Sequence, residues 1–244
     1  MNGRRRLFLA LALLFAAAAP TFAAETLAIQ DNSFLLEEAY NQEAGVVQHI
    51  FTYVRSRGGS YASTFTQEWP VRGLAHQLSY TLPVQRRRGD ALINYRYQLA
   101  GDGSARVAVA PRLSLIVGAD GYGYDVNVPV SVAISDRFVT HWNAGTTRIA
   151  RTTTWSAGAS AIAAPLRKVH LMLETRWTHD TKSIVTVSPG VRWAHDIGKL
   201  QVVPGIAMPI GSDHSRAVFA YLSVEHPFRP SSRESFSGCT RCPK

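Results

Sequence analysis

Between about Val46 and Phe228, apolar residues alternate with polar or small ones in stretch after stretch. Val107, Val109, Pro111, Leu113, Leu115 and Val117 share one parity, with Ala108, Ala110, Arg112 and Ser114 between them. Val126, Val128, Val130, Val132 and Ile134 repeat the pattern around Asn127 and Ser131, and Val185, Val187, Val191 and Trp193 repeat it around Thr186, Ser188 and Arg192. Successive strand side chains point to opposite faces, so each stretch predicts a strand with one apolar and one polar face. Strands of about ten such residues, repeated through a chain, are the signature of a transmembrane β-barrel. Periodicity and intervening turn signals such as Arg57-Gly58-Gly59-Ser60, Ser135-Asp136 and Gly211-Ser212-Asp213 place strands at 46–55, 62–71, 74–84, 90–99, 105–117, 124–134, 137–146, 152–163, 168–178, 183–194, 199–210 and 217–228. Twelve is an even number, as bacterial single-chain barrels have; merging or splitting one hairpin would give ten or fourteen.

Parity also assigns the faces. Phe65, Leu78, Tyr80, Leu82, Ile93, Leu171, Leu173, Leu200, Val202, Ile206 and Met208 fall toward lipid. Trp69, Tyr95, Tyr97, Trp142, Trp155, Trp177 and Trp193 are expected near strand ends, where aromatic girdles sit. Gln77, Asn94, Arg96, Gln98, Arg112, Asn127, His141, Asn143, His170, Glu174, Arg176, Arg192 and Glu225 fall toward the lumen. An arginine facing lipid near the midplane would cost about 2–4 kcal/mol, so the inward parity of these charges is a test that the barrel reading passes.

Residues 24–45 read differently. Asp31, Asn32 or Ser33 can cap a helix, Glu37 and Glu38 fall in its first turns, and Leu36 and Tyr40 share a face. Gly45 is a stop signal. A short amphipathic helix over about 31–43 is expected, at the periplasmic mouth or in the lumen as a plug.

The start of the chain carries an export address. Arg4, Arg5 and Arg6 precede an uncharged apolar run from Leu7 to Ala19, and Thr21-Phe22-Ala23 offers small residues for cleavage after Ala23 or Ala24. Residues 1–23 are therefore expected to be a signal peptide, and the run is too short for a comfortable transmembrane helix. No other stretch reaches eighteen consecutive apolar residues. The formal charge is +9, of which three come from Arg4, Arg5 and Arg6. In an exported chain the remaining basic residues point to a lumen or to anionic lipopolysaccharide rather than to nucleic acid. The last strand pattern ends on the aromatic Phe228, the kind of strand that barrel-assembly machinery recognises, and a tail of residues 229–244 follows. Cys239 and Cys242 in that tail have no second ligand pair and fit a short disulfide.

Several stretches together resemble a known family. They are Asp31-Asn-Ser-Phe-Leu-Leu-Glu-Glu-Ala-Tyr-Asn-Gln-Glu43, Asn94-Tyr-Arg-Tyr-Gln98, Ala110-Pro-Arg-Leu-Ser-Leu115, Ser188-Pro-Gly-Val-Arg-Trp193, Val203-Pro-Gly-Ile-Ala-Met-Pro-Ile-Gly211 and Glu225-His-Pro-Phe228. In this order they resemble the outer-membrane transporter family labelled "MetA pathway of phenol degradation". The resemblance implies an outer-membrane barrel with a transport role and links to aromatic catabolism. It implies no catalytic residues.

The candidate solute path is lined by Arg96, Arg112, His170, Glu174, Arg176, Arg192 and Glu225. Rings of basic side chains favour anions in a pore. The same arginines could instead pair with Glu174 or Glu225 and fill a narrow barrel, or could hold the acids Glu37, Glu38 and Glu43 of the N-terminal helix through charge-assisted bonds. The leading expectation is passage of small aromatic or anionic molecules across the outer membrane, without a cofactor. The alternatives are a closed structural or binding barrel, a soluble secreted β-sandwich, and a lipid-acting enzyme built on His141, Asn143 and Ser156, three residues of matching parity. No metal site is expected: His170 and Glu174 share a strand face but stand about 13 Å apart at strand rise. Gly118-Ala-Asp-Gly-Tyr-Gly123 lies between strands and reads as a hairpin loop.

Overall fold

A computed structural model describes residues 33–84, 89–102, 105–118 and 121–228. The expected signal peptide and the cysteine tail lie outside the described residues.

Twelve antiparallel strands form one sheet. They are β1 (Val46–Ser56), β2 (Tyr61–Arg72), β3 (His76–Pro83), β4 (Ala91–Tyr97), β5 (Val107–Val109 continued by Arg112–Gly118), β6 (Gly121–Ser135), β7 (Phe138–Ile149), β8 (Thr152–Leu166), β9 (Val169–His179), β10 (Ser183–Trp193 continued by His195–Ile197), β11 (Leu200–Ala207 continued by Ile210–Gly211) and β12 (Ala217–Pro227). Each pairs with its neighbours in sequence, and β12 returns to β1 with Val46 opposite Pro227 and Ser56 opposite Ala217. The sheet is closed, so no backbone edge faces lipid, where an unpaired N–H or C=O would cost several kcal/mol. An eleven-residue strand such as β1, at about 3.3 Å per residue and a tilt near 40°, gives a barrel about 28 Å tall, enough for the apolar band of an outer membrane. Two of the three strand interruptions fall at Ala110-Pro111 and at Met208-Pro209, where proline lacks the ladder's N–H, and the third falls at Ala194 in β10.

The faces follow the alternation. Leu115, Val117, Ile93, Leu171 and Leu173 are all more than half exposed on the outside, while Asn94, Arg96, Ser114, His141, His170, Glu174 and Arg192 are buried inside. Two aromatic girdles appear. Trp69, Tyr95, Tyr97 and Trp193 lie toward the terminal end, where Val46 and Pro227 meet, and Tyr61, Tyr122, Trp155 and Trp177 lie toward the far end. Trp142 departs from the expectation: as the fifth residue of β7 it stands nearer mid-height.

The expected N-terminal helix does not form. Residues 33–45 run as bends and a turn, with no helical hydrogen bonding. The physical reason lies in the lumen. A helix satisfies its own N–H groups, but here seven backbone N–H groups between Phe34 and Gln42 donate to side chains of the barrel wall. An uncoiled chain reaches polar partners on every side, whereas a helix would offer its surroundings only side chains.

Candidate functional site

The lumen wall presents a row of polar side chains because every second residue of each strand points inward. Ordered around the barrel, Gln77 (β3), Arg96 (β4), Arg112 (β5), Ser131 (β6), Asn143 (β7) and Glu174 (β9) form a polar track that is broken at β8, where Gly158 faces Leu36. The 33–45 segment follows this track backwards from the terminal end. The Gln42 N–H donates to Gln77 Oε1 at 2.6 Å and the Asn41 N–H to Gln98 Oε1 at 3.0 Å, while Gln98 Nε2 returns a bond to the Ala39 carbonyl at 2.7 Å. The Ala39 N–H donates to Ser131 Oγ at 2.7 Å. Asn143 grips Glu37 twice, accepting its N–H at 2.9 Å and donating to its carbonyl at 2.8 Å. The successive N–H groups of Phe34, Leu35 and Leu36 then converge on the Glu174 carboxylate at 3.0–3.3 Å. Three amides on one carboxylate make an anion cradle, here supplied by the segment to the wall.

Charge fixes the middle of the segment. Glu37 Oε2 accepts from Arg96 Nη2 at 3.0 Å, and Glu37 Oε1 lies 2.8 Å from Arg112 Nη2. Arg96 Nη1 also donates to the Tyr40 carbonyl at 3.0 Å, and Arg112 Nη2 meets Asp125 Oδ2 at 2.7 Å. Burial works to raise the Glu37 carboxyl, and the guanidiniums of Arg112 and Arg96 outweigh it, holding the group below the ordinary glutamate range. The Tyr40 phenol is pushed above its usual value by burial, with the charge of Glu38 adding to the effect.

Packing fixes the inner end. The Phe34 ring meets Phe219 and Tyr221 edge-on, with centroids 5.5 and 6.0 Å away, and joins Ile50, Ile162, Met172 and Ala207 in a buried apolar cluster inside the barrel. The wall beneath it is glycine. A Cβ on Gly190 would lie 2.6 Å from the Phe34 ring and one on Gly205 2.9 Å from it, and a Cβ on Gly158 would lie 2.5 Å from Leu36. Only a wall without side chains at these positions lets the segment approach so closely. Between the segment and the wall of β1–β5 and β12 a cavity of about 240 Å³ remains.

The residues expected from the sequence separate into groups. Arg96 and Arg112 meet Glu37, and Glu174 binds the segment's backbone. Glu38 is buried and acts electrostatically on Arg96. Arg192 is buried opposite His170 in the ladder and acts electrostatically on Glu174. Glu225, on β12, accepts from Gln48 Nε2 of β1 at 2.9 Å. Arg176 is half-buried, two residues beyond Glu174 toward the far end. Glu43 is exposed at the terminal mouth, where its carbonyl accepts the Val46 N–H. Parity alone places Gln77, Gln98 and Asn143 in the lumen but does not show that they hold the segment or that Gly158, Gly190 and Gly205 make room for it. Their shared inward parity was the available signal.

The enzyme constellation is not assembled. His141 faces Ser131 at 2.7 Å and pairs in register with Ser160, whereas Ser156 pairs with Gly145 and Thr178, four strand positions away. That separation is about 13 Å, too far for proton transfer between nucleophile and base.

The barrel is similar to that of the KdgM porin solved in complex with disordered oligogalacturonate, with a TM-score of 0.60 and 11% identity over 75% of this chain and 99% of that one. It is likewise similar to the NanC porin, with a TM-score of 0.54 and 8% identity over 73% of this chain and 98% of that one. The protein therefore has a porin-type β-barrel fold. No protein-family model and no curated protein sequence matches the chain.

Proposed function

We propose that this protein is an outer-membrane channel for small molecules whose lumen is plugged from within by residues 33–45. The observation that carries the reading is the seat of that segment: Glu37 bridges Arg96 and Arg112 while Glu174 and Asn143 hold the backbone on either side. Such a barrel meets phospholipid and lipopolysaccharide through its apolar belt and is inserted by barrel-assembly machinery. The export address and the belt support an outer-membrane location, with the terminal end toward the periplasm. The motifs from Asp31 to Phe228 further support a place among the transporters of the phenol-degradation family named above.

The test is single-channel recording in planar bilayers. The mature chain is expected to conduct rarely, and a variant lacking residues 33–43 to conduct steadily. Equal conductance of the two, with both shown folded by heat-modifiable migration in gels, overturns the plug. The filled lumen also favours a second reading, a closed binding barrel, which predicts that the shortened variant stays silent.

A further inference from the structure

The arginines that hold the segment are ligated as a carboxylate ligand would ligate them, and the ligand is the chain's own. Each oxygen of Glu37 takes one guanidinium, Arg96 at 3.0 Å and Arg112 at 2.8 Å. Glu37 lines the cavity of about 240 Å³. Asn94, Arg96 and Arg112 line it, as do Phe219 and Tyr221 of the barrel wall and Phe34 of the segment. Cationic and aromatic side chains thus share one space the size of a small organic acid. Glu68, buried and receiving a bond from Gln77 at 2.7 Å, lines the same cavity and sets a negative charge within it.

We infer that this cavity receives small monocarboxylates with an aromatic or apolar body, and that such a solute displaces Glu37 from Arg96 and Arg112 and so releases the segment. The inference rests on the plug reading. The physical reason is charge balance. Arg96 is 4% exposed while the segment is docked, so breaking its bond to Glu37 before the segment has left strands a buried guanidinium with only Glu68 and Glu38 acting on it, which is unfavourable. A carboxylate entering as Glu37 leaves keeps the balance. A neutral molecule of the same shape cannot. A dicarboxylate carries a second charge toward Glu68 and is disfavoured. Because the arginine pair is free for the solute only in the released state, binding shifts the equilibrium toward release.

The experiment records the mature protein in planar bilayers at neutral pH with benzoate, benzamide or terephthalate at equal concentration. Benzoate is expected to raise the open probability at least about tenfold, while benzamide and terephthalate leave it unchanged, the selectivity that a charge-for-charge exchange requires. Glu37→Gln is expected to be open without benzoate and indifferent to it. By titration calorimetry, the variant lacking residues 33–43 is expected to bind benzoate more tightly than the mature chain does. If that variant conducts but benzoate neither opens the mature channel nor binds the variant, the displacement is wrong and the plug stands. If the variant does not conduct, the plug reading itself has failed. An equal response to benzamide overturns the charge exchange.

Discussion

The barrel wall and the segment inside it are built on opposite principles. In the wall every strand finds backbone partners on both sides, from β1–β2 around to β12–β1. Its hydrogen bonds depend on no particular side chain, so alternation alone specifies it. The 33–45 segment has no backbone ladder. Its N–H groups are met one by one by Glu174, Asn143, Ser131, Gln98 and Gln77. Each lost wall side chain leaves a buried donor unpaired, at about 1–3 kcal/mol. The wall is therefore robust to substitution on its inner face and the segment is not. That asymmetry fits the proposed plug, a segment that can be released from a wall that stays closed.

The comparison can be broken most severely at Glu174. Glu174→Ala removes the acceptor of three successive amides, and about 3 kcal/mol or more of docking is expected to go with it. Hydrogen exchange at Phe34, Leu35 and Leu36 should then accelerate at least a hundredfold while the strand amides keep their protection; equal acceleration in the strands would show that wall and segment are not separable. Phe34→Ala, which empties the apolar cluster, is expected to cost the docked state about 3 kcal/mol and to raise conductance without changing the barrel's migration in gels. Gly190→Ala works from the wall side. Its Cβ meets the Phe34 ring and, at 2.9 Å, Ala207, and the expected loss is about 1–3 kcal/mol of docking. Adding Phe34→Ala should recover nothing more than the Phe34→Ala channel shows, and a summed effect would refute the contact.

Acid sharpens the same contrast. The lowered Glu37 carboxyl contributes docking energy above its ordinary pKa, and that contribution is lost as pH falls through the depressed value. Channel opening is therefore expected to set in below the usual glutamate range and to be absent as a separate step in Glu37→Gln, measured by conductance against pH. The smallest effect belongs to the wall itself. Thr64→Val removes the hydroxyl pair with Thr52 at 2.6 Å and is expected to cost about 0.5 kcal/mol of barrel stability, with segment protection and conductance unchanged.

Much of the wall was legible in the sequence. The twelve expected strands match the observed ones to within a few residues, because a period of two is a local signal that lipid on one side and a polar lumen on the other both enforce. The meeting of N-terminal acids with lumen arginines was also legible, since Arg96 and Arg112 share the inward parity. The absence of the expected helix has an equally physical reason. Caps at Asp31 to Ser33 and the Leu36–Tyr40 spacing are local helix signals, but the acceptors that unwind the segment stand as many as 140 residues away. Nor could spacing tell that Glu37 takes the arginines, Glu38 is buried beside them and Glu43 stays in solvent at the mouth.

The sequence by itself determined the wall in outline: where its strands run, the face each residue takes and the belt that meets lipid, because all three follow from the alternation of neighbours along the chain, while closure of β12 on β1 fixed the count at twelve. Only the tertiary structure decided what fills the lumen. The path of residues 33–45 depends on which inward side chains the closed barrel sets opposite one another, on the glycines that leave Phe34 and Leu36 their space, and on a buried ion pair between strands and segment. Those are distances across the barrel, fixed by its closure and register rather than by any local pattern.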